Sequence, residues 1–128
     1  MTRRRILIAD DHEDIREMWS MLLSDAGHEV HMAADGMAAL AMVRTIRPDI
    51  AILDVNLPHL SGLEVARRLR QELGRNQLVL VAFTGDASDA VRQRSLEAGF
   101  DFHFVKPVGF EKLEQLVARA GLSDSPPA

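Results

Sequence analysis

The sequence predicts an α/β fold, a doubly wound five-stranded parallel sheet with five helices on its two faces. Two observations support this prediction. Short apolar runs alternate five times with longer segments of helical period, and parallel strands need helical crossovers to connect them. With 128 residues, 47% of them hydrophobic, the chain is long enough to bury one core without disulfide bridges.

The five predicted strands are short and depend mainly on Val, Ile, Leu and Phe. This composition is typical of central strands buried on both faces of a parallel sheet, and we expect that environment for all of them. The predicted strands are residues 6–9, 29–33, 50–53, 78–83 and 102–105.

The first helix is predicted by a single apolar stripe. Its members recur three and four residues apart, as on one face of a helix, and Gly27 stands where a left-handed cap would end the helix. We expect Trp19 to pack in the core through this stripe rather than bind a ligand. The stripe consists of Ile15, Met18, Trp19, Leu22 and Leu23.

Four further helices follow the later strands. They are predicted over residues 37–46, 62–73 and 88–98, with a fifth built on Leu113, Leu116, Val117 and Ala120 before Gly121. The fourth helix offers little apolar surface, so we expect thin packing and high mobility there. Met37 and Met42 of the second helix are expected to be packing residues.

Composition also limits the classes of function. Residues 1–121 are predicted to form the single domain, with a disordered tail over 122–128. The chain has no cysteine and a formal net charge of −4, which excludes a disulfide scaffold and argues against nucleic-acid binding. No apolar run approaches the roughly 20 residues needed to cross a bilayer. We therefore expect a cytoplasmic protein without nucleic-acid or membrane partners.

Polar side chains follow four of the five predicted strands. In a parallel sheet the ligand site lies outside the carboxyl ends of the strands, where the strand order reverses. If Asp10, Asp11 and Asp54 converge there, three carboxylates need a neutralising cation, and an all-oxygen set favours Mg²⁺. The strand-end residues are Asp10, Asp11, Asp54, Thr84, Gly85, Lys106 and Pro107.

Two of these features have alternative explanations. The alternative for the Asp10–Asp11 pair is that these carboxylates lie near the N-terminus of the first helix only because the positive end of the helix dipole favours negative charge. Lys106 is one of only two lysines beside thirteen arginines, so a lysine at a strand end suggests a need for a compact ammonium; the alternative is that one of the two lysines falls there by chance. Asp54 as nucleophile, Thr84 as hydroxyl donor and Lys106 as cation are the parts of a phosphoryl-transfer site.

The sequence resembles the receiver domain of two-component response regulators over residues 5–120. The resemblance rests on four segments in order: ILIADDHEDIR, ILDVNLPHLSGLEV with Pro58 and Gly62, VAFTGD, and FVKP. It implies the flavodoxin-like strand order 2-1-3-4-5. It also implies that Asp54 takes a phosphoryl group from a histidine of a sensor histidine kinase or histidine phosphotransfer protein.

The resemblance implies further roles. Asp11, Asp54 and the backbone carbonyl of Asn56 would bind Mg²⁺, with Asp10 acting through water. Asn56 and Asp86 would tune access of hydrolytic water, which implies an aspartyl phosphate of finite lifetime. The protein would be a phosphorylation-regulated switch, not an enzyme beyond its own phosphorylation and dephosphorylation.

The switch position departs from the family pattern. In the family Thr84 couples to an aromatic residue three positions before the lysine, and here that position is His103. A ring that titrates near neutral pH would replace the usual Tyr or Phe. The alternative is that His103 is only a strand residue between Phe102 and Phe104. A histidine there is similar to receivers of hybrid kinases, which would make the domain a phosphate relay.

Partner expectations follow from the resemblance and the short chain. The signal would leave by contact with an unknown downstream protein, through the surface of the fourth helix, fifth strand and fifth helix. The protein would be a monomer or a phosphorylation-dependent dimer. The MTRRR start and SDSPPA end favour a stand-alone protein.

Three alternatives fit the sequence less well. A magnesium phosphatase with an aspartyl nucleophile commonly has a second Asp two residues later, where this chain has Asn56, and an amide cannot supply the proton. A dinucleotide-binding fold lacks its G-x-G-x-x-G turn here. Four histidines do not form a metal set by spacing, and only His12 lies near the acidic pair; the four are His12, His28, His31 and His59.

Overall fold

A computed structural model describes residues 3–74 and 77–120 of the chain. Its sheet has five parallel strands in the order β2-β1-β3-β4-β5. This confirms the predicted α/β class and strand order. The strands are β1 (Arg5–Ala9), β2 (Glu29–Ala33), β3 (Ile50–Asp54), β4 (Val79–Thr84) and β5 (Phe102–Val105); the helices are α1 (Glu13–Asp25), α2 (Gly36–Ile46), α3 (Gly62–Leu73), α4 (Asp89–Ala98) and α5 (Phe110–Ala120).

Two expectations fall outside these residues. Gly121 and the tail at 122–128 belong to the part of the chain that the structure does not describe, so the end of the domain stays a prediction. Among the described residues, no helix combines the length and the apolar character that a membrane span requires.

The sheet separates two hydrophobic cores because successive strand side chains point to opposite faces. Leu7 and Ala9 of β1 belong to the core under α2 and α3, whereas Ile6 and Ile8 belong to the core that includes Trp19 of α1. All five residues of β3 are buried. The central strand therefore holds its last residue, the carboxylate, in a fixed place.

The expectation that every strand is buried on both faces is wrong for β2 and β5. These are the edge strands, and most of their residues are partly or fully exposed. Phe102 is 42% and Val105 39% exposed. An edge strand has a neighbouring strand on one side only, and the helices on the two faces of the sheet do not fully cover its side chains.

Two methionine predictions are also wrong. Met18 is 46% and Met37 52% exposed, although Met42 packs against the core as expected. The buried face of α1 is narrower than its sequence stripe, with Trp19 and Leu23 at its centre. Met37 lies in the first turn of α2, where only one side of the helix meets the sheet.

Side-chain caps set the starts of three helices. Asp35, Ser61 and Ser88 each accept a hydrogen bond from the backbone N–H three residues later, as N-caps do. Ser88 is therefore the cap of α4 rather than its first residue, and α2 begins one residue earlier than predicted. Only Ser95 and Ala98 of α4 are buried, which confirms its thin packing.

Arg70 of α3 joins the start of β4 to the loop before β5. Its guanidinium donates to the carbonyl oxygens of Gly99 at 2.7 Å, Leu78 at 2.7 Å and Gly74 at 3.1 Å. It also pairs with the carboxylate of Asp101, which accepts the N–H of Leu80. This network fixes the edge of the sheet that carries β5.

Candidate functional site

The predicted strand-end residues lie at one edge of the sheet. Asp54 and Thr84 end β3 and β4, Asp10 follows β1, and Lys106 follows β5. β1 and β3 are adjacent although β2 lies between them in sequence, so the strand order reverses beside Asp10 and Asp54. This is the position where ligands bind in open parallel sheets.

Lys106 bridges two of the carboxylates. Its ammonium donates to Oδ2 of Asp54 at 2.7 Å and to Oδ2 of Asp10 at 3.2 Å. The backbone N–H of Asn56 donates to Oδ1 of Asp54 at 2.9 Å. Asp54, only 5% exposed, is thus held through both oxygens, each by a different part of the chain.

Asp10 is held by the turn that follows it. Its Oδ1 accepts the backbone N–H of His12 at 2.9 Å and lies 2.9 Å from Nδ1 of the His12 ring. Arg16 donates to the Asp10 carbonyl at 2.9 Å. Sequence reasoning placed His12 near the pair but gave no role to it or to Arg16. The one sequence feature that could have identified them is their position, because both lie in the first turns after the end of β1.

The close charges shift pKa values at the site. Burial alone would raise the pKa of Asp10, but hydrogen bonds from His12 and the charge of Lys106 lower it overall. Burial would lower the pKa of Lys106, and the bond to Asp54 with the nearby carboxylates raises it instead. The bond to Asp10 and the charge of Asp11 raise the pKa of His12. Both Asp10 and Lys106 are therefore held in their charged forms.

The donor set fits a divalent metal ion. Asp10, Asp11, His12 and Asp54 each offer one ligand atom, and these atoms lie within 4.8 Å of one another. Three carboxylates beside the Lys106 ammonium leave an excess of negative charge that a dication would balance. Carboxylate oxygens are the ligands that Mg²⁺ prefers. Asn56 is exposed beside them, and the role of its carbonyl stays a prediction.

Thr84 is fully buried at the end of β4. Its Oγ1 accepts the backbone N–H of Asp86 at 3.0 Å, which leaves the hydroxyl proton available for another acceptor. Asp86 in turn accepts the N–H of Ser88 at 2.8 Å, and this bond lowers the pKa of Asp86. The loop between β4 and α4 is therefore organised around the threonine hydroxyl.

His103 lies outside the acidic cluster. Its half-buried ring places Nδ1 3.2 Å from the hydroxyl of Ser95, a fully buried residue of α4. Burial, followed by the charge of Arg92, lowers the pKa of His103. The ring therefore links β5 to α4 through one hydrogen bond. Its coupling to Thr84 stays a prediction.

Gly62 allows α3 to approach the end of β3. A Cβ atom at this position would lie 2.3 Å from the carbonyl oxygen of Asp54, closer than any real contact. The N–H of Gly62 donates to the carbonyl of Val55 at 2.9 Å. The glycine in the ILDVNLPHLSGLEV segment is therefore required by the packing beside Asp54.

Comparison with known proteins gives one consistent family. The family model described as the response regulator receiver domain matches residues 6–118. The response regulator MprA of Mycobacterium avium is 41% identical over 115 residues, which are 90% of this chain and 48% of the relative. The chain thus spans about half the length of the curated relatives that it matches. These relatives give no support to the phosphatase alternative.

Solved structures show the same fold. The chemotaxis protein CheY4 of Vibrio cholerae superposes with a TM-score of 0.84 at 34% identity, covering 93% of this chain and 99% of that one. The receiver domain of a sensor histidine kinase from Pseudomonas aeruginosa, with a magnesium ion coordinated in its active site cleft, gives 0.84 at 28% identity, covering 94% and 99%.

Proposed function

The chain belongs to the response regulator receiver domain family, and from this membership we propose that Asp54 is the phosphoacceptor of a two-component signalling pathway. The observation that carries the proposal is the position of Asp54. It ends the most buried strand, beside the strand-order reversal, with Lys106 Nζ 2.7 Å from one oxygen. A carboxylate so placed can act as a nucleophile that forms a covalent intermediate.

The proposed reaction transfers a phosphoryl group from a phosphohistidine of a sensor kinase or phosphotransfer protein. A carboxylate oxygen of Asp54 forms a bond to phosphorus as the donor nitrogen–phosphorus bond breaks, and the donor leaves as imidazole. The product is an aspartyl phosphate. Such transfers depend mainly on positioning and on neutralising the charge of the phosphoryl oxygens.

Three groups of the chain suit those tasks. The N–H of Asn56, 2.9 Å from Oδ1 of Asp54, fixes the carboxylate plane. The Lys106 ammonium already lies between Asp10 and Asp54 and would pair with a phosphoryl oxygen. The hydroxyl proton of Thr84, whose oxygen accepts from Asp86, is free to donate to another. The interactions of Lys106 and Thr84 with the phosphoryl oxygens strengthen as charge develops on them.

Mg²⁺ completes the proposed site. Asp10, Asp11, Asp54 and the backbone carbonyl of Asn56 would hold it, with Asp10 acting through water. When bound, the ion neutralises charge on the acidic cluster and on the phosphoryl oxygens.

The proposed output is a change in the surface of α4, β5 and α5. Thr84 and His103 would transmit it, because Thr84 anchors the loop that begins α4 and His103 bonds to Ser95 within α4. A downstream protein would read this surface, either on a monomer or on a phosphorylation-dependent dimer. Phosphorylation then acts as a local charge change on a two-state element.

The test is phosphorylation by a small phosphodonor with Mg²⁺, followed by mass mapping of the base-labile adduct. Wild type should gain one phosphoryl group on Asp54, and Asp54→Asn should gain none. Asp25→Asn, which changes an exposed carboxylate at the end of α1, is the matched control and should behave as wild type. Equal labelling of Asp54→Asn and wild type would refute the assignment.

A further inference from the structure

His12 is the one member of the metal cluster that brings a nitrogen atom. Its side chain is 61% exposed, so it can turn toward an ion without disturbing the core. Its Nδ1 lies 2.9 Å from Oδ1 of Asp10 and 3.2 Å from Oδ1 of Asp11. The ring nitrogen is therefore already among the carboxylate oxygens.

These separations match the spacing of ligands around an ion. Octahedral ions with bonds of about 2.1 Å hold neighbouring ligand atoms about 3.0 Å apart. The 3.2 Å between His12 Nδ1 and Asp11 Oδ1 is close to that value. Small movements of these two side chains would let both bind one ion, while Asp10 bonds to a water of that ion as proposed above.

Hydrogen bonding to Asp10 alone does not explain the ring position. The backbone N–H of His12 already donates to the same Oδ1, Lys106 donates to Oδ2, and Arg16 donates to the Asp10 carbonyl. Asp10 is thus oriented without the imidazole. Nδ1 is free to exchange its bond to Asp10 for a bond to a metal, at little cost to the turn.

We propose that His12 is a metal ligand through Nδ1 and that it makes this site prefer first-row transition ions, such as Co²⁺, to Mg²⁺. Imidazole nitrogen binds Mg²⁺ poorly but suits the later divalent ions, whose affinity for nitrogen sites rises along the series. The proposal rests on metal binding at the proposed phosphorylation site. It adds a ligand and a selectivity that the oxygen set does not supply.

The experiment measures binding of Mg²⁺ and Co²⁺ by calorimetry at one fixed, mildly alkaline pH, for wild type and two variants. His12→Asn replaces the nitrogen donor by an amide oxygen. His59→Asn is the matched control, because His59 is exposed outside the cluster and has a positive φ of 68° that Asn tolerates. Hyperfine-shifted imidazole proton signals of the Co²⁺ form give a second readout.

The ratio of Co²⁺ to Mg²⁺ affinity should fall at least about tenfold in His12→Asn and stay unchanged in His59→Asn. Wild type and His59→Asn should show the imidazole signals, and His12→Asn should lose them. An unchanged ratio, or signals that persist in His12→Asn, would overturn the inference while leaving phosphorylation of Asp54 untouched. Failure of wild type to bind either ion would overturn both the inference and the proposed role of Mg²⁺.

Discussion

Nδ1 of His103 lies 3.2 Å from the hydroxyl of Ser95, so one side-chain hydrogen bond links the edge strand β5 to the helix α4. Ser95 is fully buried, and α4 otherwise buries only Ala98. This bond therefore adds a buried polar contact to a helix that is otherwise thinly packed. It also joins the two elements that the proposed output surface shares.

Ser95→Ala removes this link and leaves the ring nitrogen of His103 without the hydroxyl. We expect the free energy of unfolding to fall by about 1 kcal/mol and amide exchange to accelerate in α4 more than in α3. Urea denaturation and residue-resolved hydrogen exchange measure the two effects. Ser24→Ala, at an exposed position of α1, should change neither. Unaltered exchange in α4 would show that the bond does not restrain the helix.

Lys106→Met tests the ammonium as an internal counter-ion. The substitution removes a positive charge bonded to Asp10 and Asp54, so the remaining carboxylates attract a dication more strongly. We expect Mg²⁺ affinity to rise at least about tenfold, while phosphorylation by a small phosphodonor becomes slower. Calorimetry and the labelling rate measure these changes. Lys112→Met, on α5, is the control; a weaker affinity for Mg²⁺ in Lys106→Met would contradict the argument.

Gly62→Ala tests the contact between α3 and the end of β3. The new methyl group would clash with the Asp54 carbonyl, so α3 or the strand must shift. We expect a loss of about 1–3 kcal/mol of unfolding free energy and slower labelling of Asp54. Gly109→Ala is the control because its Cβ would meet nothing within 4 Å. Equal stability of the two variants would mean that the end of β3 accommodates the methyl group at little cost in free energy.

His28 gives the domain a pH-dependent stability. Its buried ring accepts the N–H of Arg4 through Nδ1 at 3.0 Å, and burial, then the charge of Arg4, lowers the pKa of His28 from 6.5. The unfolded chain therefore binds more protons, and the stability from this group is complete above about pH 6.5 and is lost as the pH falls below it. His103, whose pKa is also lowered, acts in the same direction.

Thermal denaturation across this pH window measures the effect. The melting temperature of wild type should fall as the pH drops below the unfolded pKa. His28→Asn should flatten the decline, since its amide oxygen can still accept the Arg4 N–H but does not titrate. His59→Asn should follow wild type. An equally steep decline in His28→Asn would assign the acid sensitivity to other groups.

Much of the fold followed from local patterns. Apolar runs such as residues 50–53 and glycines at helix ends such as Gly27 are local features of the sequence, and the structure confirms the strand and the helix that they predict. The exposure of Met18 and of Val105 depends on which elements lie beside them in space. The period of a stripe does not contain that information, so these predictions were wrong.

The site residues, too, were predictable only where the signal is local in sequence. Asp54, Thr84 and Lys106 could be found because a polar residue after an apolar strand marks the sheet edge. The bridge from Lys106 to Asp10 joins residues ninety-six positions apart, and only the strand order brings them together. The contacts of Arg70 with Gly99 and Asp101 also join residues distant in sequence, and no sequence signal pointed to them.

Trp19 is the only tryptophan of the chain, and its surroundings give it a use beyond packing. Its ring lies edge-on to Phe83 at 5.9 Å between centroids, and Phe83 precedes Thr84. It also lines, with Lys106, a cavity of about 310 Å³. One layer of side chains therefore separates the indole from the proposed phosphorylation site, so we expect the fluorescence of Trp19 to report on events there.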